Sequence, residues 1–194
     1  MTTQPHPHAH SRSRHGYTLV EVMMAMGIMA MGGVGIMGLH QASTKANLEA
    51  RQISMANNVM RTWMERLKRD ALLWTQGGDS AATANLGPTA YLSQQGAGWF
   101  VPDPNDAAES HAFDHFGRDT SVAATMRYCT NLRVVWVVPG LAVRTDVRVW
   151  WVKRGVDAAA FAGCADGTDP NTLTANANLH FVSASNVVRW NSLL

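Results

Sequence analysis

The chain has 194 residues, enough for one domain with an ordinary core plus an extended element but too few for two large domains. Hydrophobic residues make up 46%, which excludes wholesale disorder, while charged residues make up only 15%, below the roughly 25% of an average soluble protein. Two of the 16 basic residues are Arg12 and Arg14, in a segment without acids, so residues 17–194 carry 14 basic and 14 acidic groups. This balance excludes charge-driven binding of nucleic acid, and a mean hydropathy of -0.11 excludes a polytopic membrane protein.

The N-terminal part of the chain contains one long apolar segment. Residues 1–15 are polar and basic and are predicted to be a tail, whereas residues 17–39 are apolar with Glu21 as their only charged side chain. As a helix, this segment would be about 35 Å long, enough to cross a hydrocarbon core of about 30 Å. We therefore predict one membrane-spanning helix. Because Arg12 and Arg14 precede it, the positive-inside rule favours a cytoplasmic N-terminus and an exported remainder.

Glu21 is an acid within this apolar segment. A carboxylate in hydrocarbon costs roughly 2.5 to 3.5 kcal/mol on insertion scales, so its charge has to be compensated. Two interpretations are open at this stage. Either the side chain lies at the membrane interface or is protonated, or it pairs with a positive partner such as the free amino terminus of a neighbouring chain.

The six residues GYTLVE, from Gly16 to Glu21, are followed directly by the apolar helix. This combination resembles the class III signal of type IV prepilins and type II secretion pseudopilins. The resemblance implies that a prepilin peptidase cleaves after Gly16, that Tyr17 becomes the N-methylated first residue, and that Glu21 pairs with a neighbouring subunit's amino terminus during assembly. The sequence departs from the family in two places: most members have Phe where Tyr17 stands, and many major pilins have Pro where Gly38 stands.

The helix is predicted to continue well beyond the apolar segment. No proline lies between Pro7 and Pro88, so one rod is expected over residues 17–76, ending at the glycines 77 and 78. The predicted organisation is a leader peptide (1–16), a transmembrane and assembly half of the helix (17–39), an amphipathic half (40–76) and a globular β-rich exported domain (77–194).

The amphipathic half carries one apolar stripe and one polar face. Residues at intervals of three and four form the stripe: Ile53, Ala56, Met60, Trp63, Leu67, Ala71 and Trp74. On the polar face, Glu65 and Arg69 are predicted to form an i,i+4 ion pair. A sheet is expected to cover the stripe.

The remainder of the chain begins with loops and then forms a hairpin. Residues 77–126 are rich in Gly, Ala, Asn, Asp, Pro and Ser and are predicted to be mostly loop, with a short strand near residues 99–101. Two strands are predicted at residues 126–138 and 141–152, joined by a turn at Pro139-Gly140.

Apolar and polar residues alternate along the second arm of this hairpin, which predicts a half-buried antiparallel strand whose apolar side covers the helix. Residues 179–182 and 187–190 are predicted to add an edge strand. The fold class is therefore α+β and type IV pilin-like, with a long N-terminal helix, membrane-spanning in its first half, packed against a small antiparallel β-sheet.

The chain has two cysteines, Cys129 in the first hairpin arm and Cys164 in a later loop. An exported domain lies in an oxidising compartment, so a disulfide between them is predicted. It would close a loop of about 35 residues and stabilise the fold by about 3–4 kcal/mol in the chain-entropy model. Two isolated cysteines give no CxxC metal or redox signature, and a disulfide of this kind is common in the family that the N-terminus resembles.

Few residues suggest chemistry. The pattern HxxDH at residues 111–115 is interpreted as a solvated turn, because the sequence places no third ligand beside it. Asp166, Asp169 and Asn171 supply oxygen ligands at short spacing, and some pseudopilins bind calcium through a C-terminal loop, but turn chemistry explains the same residues. No metal, other cofactor or catalytic residue is predicted, and the chain is not expected to be an enzyme.

The leading hypothesis is a minor pilin of a type IV pilus, most like the PilV type, that primes or decorates the filament or its tip, with roles in adhesion and twitching motility. The alternatives are a minor pseudopilin of a type II secretion system and, more distantly, a signal-anchored periplasmic binding module. Expected partners are other pilins and minor pilins, the prepilin peptidase, the inner-membrane assembly machinery, a tip adhesin and membrane lipid. The expected location is the bacterial inner membrane with the C-terminal domain in the periplasm, and then the pilus fibre at the cell surface.

Overall fold

The computed structural model describes residues 16–75, 86–94, 96, 98–103, 108–156, 164 and 171–190. These residues form one long helix, α1 (Leu19–Thr75), and the four strands β1 (Ala112–Phe113), β2 (Tyr128–Val138), β3 (Ala142–Val152) and β4 (Leu179–Arg189). The fold is α+β, as predicted. The chain divides into two compact units, Met1–Leu48 and Glu49–Leu194, so the first part of α1 lies in one unit and its last part belongs to the other.

The last part of α1 supplies one wall of the main core. Six of its apolar side chains are buried, namely Ala56, Val59, Trp63, Leu67, Ala71 and Trp74. The predicted stripe is wrong at Ile53, which is 46% exposed, because the buried face of the helix begins at Ala56. Met60 is only partly buried, and Val59, which the stripe omitted, is 1% exposed.

The sheet is antiparallel, with the strand order β1-β2-β3-β4. Its centre is the predicted hairpin of β2 and β3, which are rich in Val, Thr and Trp and turn at Pro139-Gly140, where Gly140 has a φ of 73°. The predicted edge strand is one continuous β4. The structure also contains the two-residue β1, which is too short to produce a recognisable sequence pattern. The strand expected near residues 99–101 is present only as a single bridge between Phe100 and Leu132.

The expectation that β3 is half-buried is wrong. Val143, Val147 and Val149 face the helix in the main core, as predicted. On the opposite face, however, Asp146 is 4% exposed and Arg148 2%, because chain segments outside the helix cover that side as well. A second apolar cluster lies there, formed by Ala112, Cys129, Trp150, Cys164, Leu173 and Leu179.

A disulfide joins Cys129 and Cys164, whose Cα atoms are 5.5 Å apart. Both cysteines are buried in the second cluster, at 5% and 6% exposure. The bond therefore attaches residue 164, which lies between segments outside the described residues, to strand β2.

The turn at residues 114–118 packs against the helix. The Asp114 carboxylate accepts hydrogen bonds from the backbone N–H groups of Phe116 (2.8 Å) and Arg118 (2.9 Å), so this part of the HxxDH pattern forms a turn, as interpreted. Gly117 has a φ of +75°, and a Cβ atom added there would lie 2.6 Å from Sδ of Met55 on α1. Glycine is needed here both for the backbone conformation and for the close approach to the helix.

We expect Gly117→Ala to lower the free energy of unfolding by roughly 1–3 kcal/mol, since a left-handed backbone strains alanine and Met55 must also move. Gly155→Ala is the matched control, because Gly155 has a φ of +88° but an added Cβ would meet nothing within 4 Å. Urea unfolding of the detergent-solubilised chain, followed by tryptophan fluorescence, measures both variants. An equal loss for the two would show that the contact with Met55 is unimportant.

Candidate functional site

The helix begins within the GYTLVE segment. The N–H of Glu21 approaches the Thr18 carbonyl (3.1 Å) and Thr18 Oγ1 (3.3 Å), and the N–H of Val22 donates to the same carbonyl (3.2 Å). Thr18 therefore caps the helix, and Glu21 lies in its first turn. The spacing Thr-x-x-Glu is typical of a capping box, a signal that the prediction from sequence missed. An acid at this position is stabilised by the helix dipole by about 0.3–1 kcal/mol.

The two residues at the expected cleavage point are accessible. Tyr17 is 83% exposed, and Gly16 precedes it in an exposed position. A Cβ added at Gly16 would meet nothing within 4 Å, and its φ lies outside the left-handed region. Within the described part of the chain, the fold gives no reason for a glycine at position 16.

The first part of α1 exposes apolar side chains on all sides. Between 46% and 80% of each of thirteen large apolar side chains is exposed, namely Leu19, Val20, Val22, Met23, Met24, Met26, Ile28, Met29, Met31, Val34, Ile36, Met37 and Leu39. The helix is long and apolar enough to cross a membrane, with a mean hydropathy of 1.9 over its most apolar window. Fully burying one such side chain contributes about 1.5–3 kcal/mol, so this surface requires lipid or protein around it.

Comparison with known proteins identifies this N-terminal region. Residues 11–37 match the family model of the prokaryotic N-terminal methylation motif. No curated protein and no solved structure matches the chain. The motif match supports a type IV prepilin-like protein, and the long apolar helix and antiparallel sheet form a type IV pilin-like α+β fold. Proteins of this class are structural rather than catalytic, assemble with other pilins and are processed by a prepilin peptidase. The motif and the apolar helix fit a membrane-anchored protein.

Arg66 is a buried cation on the core face of α1, where it holds the loop at residues 108–120. Its Nη2 donates to both carboxylate oxygens of Asp119 (2.8 and 2.7 Å), and its Nη1 donates to the Ser110 carbonyl (3.2 Å). The guanidinium carbon also lies 4.9 Å from the centre of the Trp63 ring. Because Arg66 follows Trp63 by three residues, helical spacing alone places it beside the stripe.

Asp70 holds the next loop in the same way. It is 4% exposed, and its carboxylate accepts hydrogen bonds from three consecutive backbone N–H groups, those of Ala90 (2.5 Å), Tyr91 (2.8 Å) and Leu92 (2.8 Å). These charge-assisted bonds compensate for the loss of water around the carboxylate. The sequence places Asp70 next to Ala71 on the stripe, but it gives no information on which loop the carboxylate binds.

Glu109 connects the polar face of the helix to these loops. The predicted pair of Glu65 and Arg69 is wrong: Arg69 Nη2 lies 2.7 Å from Glu109, and Glu65 pairs with Lys68 at 2.7 Å. Tyr91 Oη also hydrogen bonds Glu109. Burial raises the pKa of Glu109, but the hydrogen bonds from Tyr91 and Arg69 and the charge of Arg66 lower it by more, so the net shift is downward. Burial is the main cause of the raised pKa of Tyr91.

A second polar cluster lies on the covered face of β3. The Asp146 carboxylate accepts hydrogen bonds from Arg133 Nε (2.9 Å) and Ser185 Oγ (2.5 Å). The guanidinium groups of Arg133 and Arg148 lie 5.0 and 4.2 Å from the centre of the Trp99 ring. Burial, and then the charge of Arg133, lower the pKa of Arg148 to about 10. These contacts support the sheet.

Most of the loop that could bind calcium lies outside the described residues. Asp166 and Asp169 lie outside the described residues, and Asn171 uses its side-chain oxygen to accept a hydrogen bond from the N–H of Trp99 (2.9 Å). Within the described ranges, no group of three or more His, Cys, Asp or Glu residues is placed to hold a metal ion.

Stability should depend on pH through Asp146. Burial raises its pKa, but Ser185 and Arg133 lower it by more, so its pKa in the folded chain lies below the ordinary value. The carboxylate therefore stabilises the fold above about pH 4, and this stabilisation is lost as the pH falls through the lowered pKa. We expect the urea midpoint of Asp146→Asn to fall less between about pH 5 and pH 2 than that of the unchanged chain. Asp103→Asn, at an exposed position, serves as the control. Identical pH profiles for all three would contradict the assignment.

Proposed function

We propose that the chain is a minor pilin of a type IV pilus, of the PilV type, that primes or decorates the filament or its tip. The main support is an apolar helix that begins within the GYTLVE segment, exposes its large apolar side chains on all sides as far as Leu39, and overlaps the N-terminal methylation motif. A helix of this kind packs laterally in lipid and then against other helices of the same kind. The exported sheet domain then determines which neighbouring subunit fits.

Cleavage follows Gly16 in this proposal, and Tyr17 becomes the N-methylated first residue. Gly16 is accessible, and nothing in the described chain requires it to be glycine, so a requirement for glycine there belongs to the enzyme that binds this segment. Cleavage creates an α-amino group at Tyr17 that is largely protonated near pH 7.

In this proposal, the negative charge of the Glu21 carboxylate pairs with the positively charged amino terminus of a neighbouring subunit. Two unit charges 4 Å apart interact by about 4 kcal/mol at an effective dielectric constant of 20. This magnitude exceeds the roughly 2.5 to 3.5 kcal/mol that inserting the carboxylate costs. The helix dipole contributes only about 0.3–1 kcal/mol and therefore leaves most of that cost for a partner to offset.

The remaining assignments follow from this function. Residues 1–16 are the leader, 17–39 the assembly half of the helix, 40–76 its amphipathic half and 77–194 the exported domain. The subunit resides in the inner membrane with this domain in the periplasm and then enters the pilus. Its partners are other pilins, the prepilin peptidase, the assembly machinery and a tip adhesin.

Replacing Gly16 should block processing. In the native host, we expect Gly16→Leu to lower the cleaved fraction at least about tenfold, because a side chain clashes in a pocket selected for glycine. Intact mass spectrometry distinguishes the full-length precursor from a chain that begins with methylated Tyr17. Gly27→Leu is the matched control, since an added Cβ at Gly27 also meets nothing within 4 Å. Normal cleavage of Gly16→Leu would contradict the assignment of Gly16 as the residue before the cleavage site.

Replacing Glu21 should spare cleavage but reduce assembly. We expect Glu21→Ala to lower incorporation into sheared pili by about tenfold or more, which corresponds to losing about 1.4 kcal/mol or more of pairing. Immunoblots of sheared filaments and of membranes measure the ratio, and Glu49→Ala removes an exposed acid elsewhere on α1 as the control. Unchanged incorporation would contradict the docking role. If the unchanged chain is missing from pili and its deletion stops protein secretion, the chain is a type II secretion pseudopilin instead.

A further inference from the structure

Helix α1 begins just after the peptide bond that is proposed to be cleaved. The carbonyl of Thr18 accepts a hydrogen bond from the N–H of Val22 (3.2 Å), so the first turn closes on Thr18, and Leu19 is the first helical residue. Gly16 and Tyr17 precede this turn, and both are exposed. The Gly16 carbonyl, at which hydrolysis would occur, therefore lies outside the helix.

The side chain of Thr18 fixes this starting point. Its Oγ1 accepts a hydrogen bond from the N–H of Glu21 (3.3 Å), the third residue of the helix. Removing a side-chain cap of this kind shifts the equilibrium at a helix start by about fivefold, which corresponds to about 1 kcal/mol. Glycine caps helices about as well as threonine does, and Gly16 lies two residues before Thr18. Without the Thr18 cap, the helix can therefore begin two residues earlier, with Gly16 as its N-cap.

An earlier start would draw the Gly16 carbonyl into the helix. Each carbonyl in an α-helix accepts a hydrogen bond from the N–H four residues later, which for Gly16 is the N–H of Val20. Hydrolysis adds water to the carbonyl carbon of Gly16 and breaks its bond to the nitrogen of Tyr17, leaving a carboxyl group and an amine. During this step the carbonyl oxygen accepts hydrogen bonds from the enzyme, so it has to be released from the helix first. Cleavage follows the fraction of the chain in which the bond is free.

Two independent observations indicate that an enzyme acts at this end of the chain. Residues 11–37 match the N-terminal methylation motif, and the described fold gives no reason for a glycine at position 16. We infer that Thr18 is a positioning residue for cleavage after Gly16, because its cap on α1 keeps the Gly16 carbonyl out of the helix and available to the peptidase. This role rests on the proposed function, and it needs no contact between the Thr18 side chain and the enzyme.

Four variants of the full-length chain in the native host separate capping from direct recognition of Thr18. Thr18→Val keeps the β-branched shape but removes the hydrogen-bond acceptor, whereas Thr18→Ser and Thr18→Asn keep an acceptor on a side chain of different shape. Thr44→Val is the matched control, because Thr44 Oγ1 donates to the His40 carbonyl within the helix (2.9 Å) and not at its start.

Pulse labelling followed by intact mass spectrometry measures the initial rate of cleavage, normalised to the precursor present in membranes. We expect Thr18→Val to lower this rate by about two- to fivefold, up to the full population factor for losing the cap. Thr18→Ser, Thr18→Asn and Thr44→Val should be cleaved at the rate of the unchanged chain.

The rank order of these rates distinguishes the explanations. A peptidase that recognised the shape of the side chain would cleave Thr18→Val normally and Thr18→Asn slowly. One that bound the hydroxyl itself would cleave Thr18→Ser normally and Thr18→Asn slowly. Either order, or equal rates for Thr18→Val and Thr44→Val, would overturn the inference while leaving cleavage after Gly16 intact. If the unchanged chain itself kept its first sixteen residues, the proposed function would be wrong as well.

A second measurement does not involve the peptidase. NMR of the ¹⁵N-labelled precursor in detergent micelles reports hydrogen exchange at the N–H of Val20, which has no carbonyl partner within a helix that begins at Leu19. Exchange and cleavage both use the chain with this later start, so Thr18→Val should slow exchange at Val20 by the same factor, about two- to fivefold. Thr18→Asn should leave it unchanged. Equal exchange in Thr18→Val and the unchanged chain would overturn the inference.

Discussion

The apolar side chains of α1 have to be removed from water, and this requirement determines what must surround each part of the helix. From Leu19 to Leu39 such side chains are exposed on all sides, whereas from Ala56 to Trp74 one face of the helix is buried and carries apolar side chains. Each large side chain gains about 1.5–3 kcal/mol when it leaves water, so the first segment requires lipid or other helices and the second requires its own sheet. A single helix is thereby suited to two environments, one supplied from outside the chain and one supplied by its own fold.

Polar anchors determine how loops are held around the second segment. Arg66 and Asp70 lie on the buried face of the helix, and each binds loop backbone groups in addition to any ion pair. Leaving such a buried backbone group without a hydrogen bond costs about 1–3 kcal/mol. Arg66 and Asp70 therefore determine which loop residues pack against the helix. The Asp146 cluster has the same role on the far side of the sheet, where it accounts for polar residues in a strand that is covered on both faces.

The molecule has two surfaces suited to association, and they differ in chemistry. The exposed part of α1 is apolar and non-directional, so it tolerates many neighbours in a membrane or a helical bundle. The outer side of β4 presents backbone groups in a fixed spacing, so any strand that paired with it would have to match its register.

Several features could be predicted from the sequence because each depends on neighbours along the chain. The apolar segment, the continuation of the helix without proline, the alternation in the hairpin and its Pro-Gly turn are all local patterns, and the structure contains each of them. The predictions failed where the outcome depends on which distant segments meet. Glu65 and Arg69 have suitable spacing, yet Arg69 binds Glu109, forty residues away, because the loop brings a second carboxylate within reach.

The sequence by itself therefore determined the long helix, the motif at its start and the three long strands β2, β3 and β4, since hydrophobic period and proline placement act over a few residues. Only the tertiary structure decided that both faces of β3 are buried, that Arg66 and Asp70 point into the core, and that one sheet edge is broken while the other is continuous. These features depend on contacts between residues far apart in the chain, which local patterns do not encode.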